Sequence, residues 1–174
     1  MPLRARGGGS GAAFPVGMPG AGGLLSGAWQ CGGMATGSAH RNVRVERLAN
    51  GRFCVSNARG GQITLGTGDT AEFTPTELLL AAIGGCTSID VDILTSRRAE
   101  PAAFEVLVDA EKVRDADGNH LTGIEVRFRI VFPGTEQGDQ ARAVLPDAVE
   151  KSHQRLCTVG RTVEIGTPIA TRIE

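Results

Sequence analysis

The sequence predicts an α+β domain with a mainly antiparallel sheet, and three observations predict it. Short segments of alternating polar and apolar residues are separated by Gly- and Asn-containing turns. One long helix, apolar all round, stands in the middle of the chain. A second helix follows the last clean alternation. From His40 the order is β-β-β-α-β-β-α-β, with helices set between groups of strands rather than after every strand, which suits segregated layers.

Val43 and Val45 alternate with charged residues, Asn50-Gly51 signals a tight hairpin, and Arg52 to Ser56 reads as the return strand. Asn57 to Gly61 marks another turn, Gln62 to Leu65 a third short strand, and Gly66 to Asp69 a loop into the long helix. That helix has a complete start signal. Thr74 as N-cap with Glu77 three residues on makes a capping box, and Pro75 suits the first helical position. Leu78 to Ile83 are apolar on every side, Arg97 and Arg98 complement the C-terminal dipole, and Pro101 stops it. From Pro75 to Arg98 it would span about 36 Å at roughly 1.5 Å per residue. Gly84-Gly85, Asp90 and Asp92 argue against a membrane span. One thin sheet and one short helix cannot cover such a helix all round, so a second copy of the chain is expected to share the task.

Phe104 to Glu111 reads as a strand and Asp115 to Asn119 as a turn. Ile124, Val126, Phe128, Ile130 and Phe132 alternate with Glu125, Arg127 and Arg129, the pattern of a half-exposed antiparallel strand. Ala141 to Leu156 reads as the second helix, kinked or restarted at Pro146. Thr162 to Arg172 is expected to close the sheet as a last strand, interrupted at Gly166-Thr167-Pro168.

Residues 1–38 differ in composition. Nearly half of the 25 glycines lie there, with Pro2, Pro15 and Pro19 among them. Such a stretch is expected to be a disordered tail, residues 39–174 forming the domain. Arg4 and Arg6 precede Leu24-Leu25, but the glycines and prolines break any apolar core of a secretory signal, and Met34 is an alternative start.

With 18 basic and 19 acidic side chains and net charge −1, the chain has no electrostatic footprint for nucleic acid or a membrane surface. Tyr is absent, which disfavours base-stacking platforms. Four cysteines without a C-x-x-C, and no histidine pair at zinc-ligand spacing, give neither a disulfide scaffold nor a metal site. No metal or cofactor is expected, and the expected compartment is cytoplasmic.

Two cysteines stand out. Cys86 lies in Gly84-Gly85-Cys86-Thr87 within the long helix, where the glycines allow close approach by substrate or backbone. Cys157 lies just past a helical run, where a chain break can aim it back at that helix. A buried thiol and a distant partner suit reversible cysteine redox chemistry. A thiolate attacks a peroxide oxygen to give a sulfenic acid, a second thiol condenses with it to a disulfide, and an external dithiol resets the pair. The competing role for either residue is a small apolar core side chain.

The segment Thr74 to Val91, with Arg155 to Val163, resembles the two cysteine motifs of the OsmC/Ohr family, the osmotically induced and organic-hydroperoxide-resistance proteins. The resemblance covers about residues 40–174 and is nearest to an OsmC-like subgroup with a Gly-Gly-Cys-Thr motif. It implies an intertwined homodimer in which each chain gives a curved sheet and a central helix, with two sites at the interface. It also implies thiol-dependent reduction of hydroperoxides, with Cys86 at the peroxidatic position and Cys157 at the resolving position. In the catalytic branch a Glu directly after the motif proline pairs with an Arg that activates the thiol. Here Thr76 stands at that position and the acid follows at Glu77. At about 100° per residue, Glu77 and Cys86 fall about 180° apart, so capping is the better role for Glu77. Arg52 is the nearest match to the activating Arg, and Arg59 the second.

Cys54 is expected to pack in its strand, and Cys31 lies in the tail. His153 precedes Cys157 by one helical turn but reads as a solvated surface residue, as does His120. Asp90 and Asp92 lack a metal-ligand partner. Two functions stay open. The first is a hydroperoxide reductase using Cys86, Cys157 and Arg52 with an external dithiol. The second is a weakly active or non-catalytic dimeric module that binds a small apolar or thiol-bearing ligand.

Overall fold

The structure is a computed structural model and describes residues 39–174. Residues 1–38, with Cys31, lie outside the described residues.

The first three strands form an antiparallel meander, β1 (Val43–Ala49), β2 (Arg52–Asn57) and β3 (Gln62–Leu65). The β1–β2 turn is the expected Asn50-Gly51, with Gly51 at φ 68°, a left-handed conformation that glycine adopts without steric cost. Every residue of β1 is exposed. Helix α1 spans Pro75–Thr95, slightly shorter than expected, and its capping box is complete. The Thr74 side chain accepts from the Glu77 N–H, and the Glu77 carboxylate accepts from the Thr74 N–H at 2.7 Å. These bonds hold the Glu77 carboxyl below its usual pKa range. Arg98 lies beyond the helix end and donates to the Leu94 carbonyl at 3.1 Å.

Strands β4 (Ala103–Asp115) and β5 (Gly118–Val131) form one long hairpin with an irregularity in register between Asp109 and Glu111. Its outer face carries charge pairs across the strands. Arg129 meets Glu105 at 3.6 Å, and Arg127 lies between Asp109 (2.5 Å) and Glu125 (2.8 Å). The inner face packs on α1. Gly84 makes that approach possible, because a Cβ there would lie 2.7 Å from Val108 Cγ2.

Helix α2 (Glu136–Lys151) begins earlier than expected, capped by Thr135, and continues through Pro146. It runs into a π-helical turn, Ser152–Leu156, followed by helix α3 (Thr158–Glu164). The strand expected over Thr162–Arg172 is therefore not formed. Its first residues belong to α3, and residues from Gly166 onward are in neither helix nor strand. The β-branched Thr162, Val163 and Ile165 favour a strand locally, but other interactions outweigh that preference. Cys157 caps the helix, Thr162 Oγ1 donates to the Thr158 carbonyl at 2.7 Å, and Arg161 pairs with Glu164 at 2.7 Å. Gly166, at φ 62°, ends it.

The buried side chains gather where α1, α2 and the π-helical turn meet: Val91, Thr95, Ala141, Ala148, Ser152 and Cys157. Along α1 the buried positions are Ile83, Gly84, Thr87, Val91 and Thr95, a single stripe. The helix expected to be covered on all sides is thus covered on one side by its own chain, because β4, α2, the π-helical turn and α3 pack against that stripe. Ile89 is 62% and Ile93 52% exposed.

The Gly84 contact yields a stability prediction. Gly84→Ala overpacks the α1–β4 junction and destabilises the fold by about 1–3 kcal/mol, despite the better helix propensity of alanine. Urea denaturation of the two proteins side by side measures it, and unchanged stability would show that the junction yields.

Candidate active site

Two elements bring the predicted thiols together. Cys86 is half-buried near the middle of α1, and Cys157 is 2% exposed at the point where the π-helical turn passes into α3. Both are free thiols. A π-helical turn widens the helix, and the Cys157 N–H closes it by bonding the Ser152 carbonyl at 2.9 Å. The backbone at Cys157 then becomes extended, φ −67° and ψ 95°, and redirects the chain.

The sulfur of Cys157 accepts two hydrogen bonds. One comes from Thr87 Oγ1 at 3.4 Å, one residue past Cys86, and the other from the Gly160 N–H at 3.3 Å. Gly160 also leaves room, since a Cβ there would lie 3.3 Å from the Cys157 sulfur. One turn beyond Cys86, Asp90 accepts from Ser152 Oγ at 2.9 Å.

The surroundings of Cys86 act on its ionisation. Burial pushes its thiol up from the ordinary range, and the Val159 N–H works in the opposite direction. The neighbouring Cys157 thiol and the negative field of Asp90 then add to the rise. On its other side, a Cβ built at Gly85 would meet nothing of its own chain within 4 Å.

A cavity of about 410 Å³ opens beside Cys157. Ile83, Val126, Phe128 and Val149 give it apolar walls, with His153 and Glu164 among its polar lining. A mostly apolar concavity with a few polar groups is the usual form of a small-molecule site. His153 is largely exposed and faces Glu164 at 3.4 Å, in keeping with the surface role expected of it.

Arg52 is not brought to the thiols within one chain. It lies at the start of β2, where its Nε donates to Glu72 Oε1 at 2.8 Å and a second guanidinium nitrogen contacts the same carboxylate. Thr70 donates to Glu72 as well. Among the described residues, the groups that shift Cys86 are Val159, Cys157 and Asp90, and neither Arg52 nor Arg59 is one of them. Sequence reasoning found Thr76 where the family's partner for the arginine would stand, gave Glu77 to capping, and passed over Glu72. The available signal was an acid placed just before the capped start of α1. It set Asp90 aside for want of a metal-ligand partner and did not see its link to Ser152, which depends on folding. Cys54 sits in β2 opposite Glu46 and Thr64, away from the thiol pair. No group of three or more His, Cys, Asp or Glu among the described residues is arranged to hold a metal ion.

The model of the OsmC-like protein family matches residues 66–172, and the chain belongs to that family. Protein YhfA of Escherichia coli is 32% identical over 125 residues, covering 70% of this chain and 88% of that protein. Among solved structures, an OsmC-like protein of unknown function from Vibrio cholerae superposes with a TM-score of 0.61 at 14% identity. It covers 73% of this chain and 95% of the other. An organic hydroperoxide resistance protein from Elizabethkingia anophelis superposes with a TM-score of 0.51 at 15% identity, covering 74% and 91%. At these identities the structural likeness speaks to the fold.

The environment of Cys86 has a consequence for alkylation. With only the chain's own groups around Cys86, the pH midpoint for its reaction with iodoacetamide, followed by peptide mass spectrometry, lies above that of free cysteine, and Cys157→Ser moves it down. A midpoint at or below the free-thiol value would show that a group outside the chain's own fold activates Cys86.

Proposed function

We propose that the protein is a two-cysteine hydroperoxide reductase. The observation that carries this is the meeting of Cys86 and Cys157 on elements far apart in sequence, both as free thiols. The Cys86 thiolate attacks the outer oxygen of ROOH. The O–O bond breaks, ROH leaves with a proton, and Cys86 becomes a sulfenic acid, oxidised by two electrons. Cys157 then attacks the Cys86 sulfur, water leaves, and a disulfide forms. An external dithiol reduces it by two exchange steps, returning two thiols.

Membership of a family that includes organic hydroperoxide resistance proteins supports the chemistry. The raised Cys86 thiol sets its requirement, because attack needs a thiolate at working pH. A cation from a second copy meets that requirement, and Arg52, held by Glu72, is the candidate. The half-covered α1 and the exposed β1 support such a homodimer. Burying exposed apolar surface such as Ile89 and Ile93 would contribute about 25 cal/mol per Å².

The same raised thiol favours a second function. If no cation reaches Cys86, the fold serves as a dimeric binding module, and the cavity beside Cys157 takes a small apolar or thiol-bearing ligand.

Stopped-flow oxidation of the reduced protein with cumene hydroperoxide and with hydrogen peroxide separates the two. The reductase consumes at least one of them far faster than a free thiol does. Cys86→Ser abolishes consumption, Cys157→Ser permits one oxidation and then stalls, and Cys54→Ser turns over at the parent rate. Consumption no faster than a free thiol would leave the binding module. Sedimentation at micromolar concentration tests the assembly; a dimer is expected, and a stable monomer would contradict it.

A further inference from the structure

We propose that Asp90 and Ser152 form a latch that holds Cys157 against Cys86 and so favours disulfide closure over further oxidation of Cys86. The latch is continuous from one thiol's helix to the other thiol's backbone. Asp90 lies one turn beyond Cys86 on α1, and at a spacing of four residues the two share a face. Its Oδ2 accepts from Ser152 Oγ at 2.9 Å, and the Ser152 carbonyl accepts from the Cys157 N–H at 2.9 Å. Ser152 is fully buried, so its hydroxyl has no competing water and its loss leaves a carboxylate short of a donor. It is also the first residue of the π-helical turn whose closure sets where Cys157 points.

The carboxylate adds a second effect at the same place. Once Cys86 is a sulfenic acid, the negative charge of Asp90 opposes its ionisation to sulfenate. The neutral sulfenic acid is the electrophile that Cys157 attacks, forming the S–S bond and releasing water. Sulfenate is the nucleophile that attacks a second ROOH, which yields sulfinic acid and ROH. Asp90 and Ser152 are positioning residues, acting through the two thiols rather than on the peroxide.

The over-oxidation part rests on the two-cysteine mechanism, whereas the latch is measurable without it. The effective concentration of Cys157 toward Cys86 is obtained by equilibrating the full chain with oxidised and reduced dithiothreitol and quantifying the Cys86–Cys157 disulfide. Ser152→Ala and Asp90→Ala lower it about tenfold, the scale of one lost buried hydrogen bond to a charged group. Asp90→Asn keeps an accepting oxygen and restores most of it. Thr95→Ala removes a different fully buried hydroxyl, one on α1 bonded only to carbonyls of its own helix, and leaves it unchanged. With excess cumene hydroperoxide, Ser152→Ala and Asp90→Ala raise the sulfinic fraction at Cys86.

Parent-level effective concentration in both Ser152→Ala and Asp90→Ala, with folding confirmed by circular dichroism, would overturn the latch. So would an equal loss in Thr95→Ala, which would reduce the pair to general core packing. A parent protein that closes its disulfide with dithiothreitol but ignores hydroperoxides would sink the reductase and leave the latch standing.

Discussion

The hydrogen bonds that tie the turn Ser152–Cys157 to helix α1 carry the arrangement of the two thiols. Ser152 reaches Asp90, Thr87 reaches the Cys157 sulfur, and the Cys157 N–H returns to Ser152, so three short links fix one cysteine beside the other. Their strength comes from burial. Ser152 is fully buried and Thr87 and Cys157 nearly so, and an unmade hydrogen bond in such a place costs more than a made one contributes. The π-helical turn is the geometric counterpart, because its wider ring ends α2 and frees Cys157 to cap α3. Gly84 and Gly160 supply the space, one by letting α1 lie close to β4 and the other by leaving room at the sulfur.

Burial brings a chemical conflict as well as order. A thiol withdrawn from water and set near a carboxylate resists ionisation, whereas a peroxide-reducing thiol must ionise. Within one chain the Val159 N–H is the group that works for the thiolate, and the cation expected from the sequence, Arg52, is engaged with Glu72. The uncovered side of α1 and the exposed strand β1 are the surfaces that the proposed second copy would use. Helix α1 presents two faces. One side holds Cys157 in place, and the other stays open beyond Gly85.

Local chemistry made much of the fold legible. The Thr74–Glu77 capping box, the Asn50-Gly51 hairpin and strand β3 appear where the residues predict them, because each depends on neighbours in sequence. The C-terminal segment misled, since Thr162, Val163 and Ile165 suit a strand but belong to a helix capped by the Cys157 sulfur. That cap exists only once the chain has turned against α1. The cysteine pair was visible as two motifs, and the structure brings them together. Arg52 was picked out as an arginine beside a turn, but its partner proved to be Glu72 rather than any acid of α1. Asp90 and Ser152 carried no local signal at all, because a serine and an aspartate far apart in the chain look ordinary until folding removes the water between them.

The central claim is that Cys86 and Cys157 act as one redox unit. Peptide mapping of the full chain after one equivalent of cumene hydroperoxide, with thiols blocked by iodoacetamide and no reductant present, tests it most directly. A single cross-linked peptide joining Cys86 to Cys157 is expected, with Cys54 recovered as the alkylated thiol. Recovery of Cys86 and Cys157 as separately blocked or separately oxidised residues, with no peptide joining them, would contradict it.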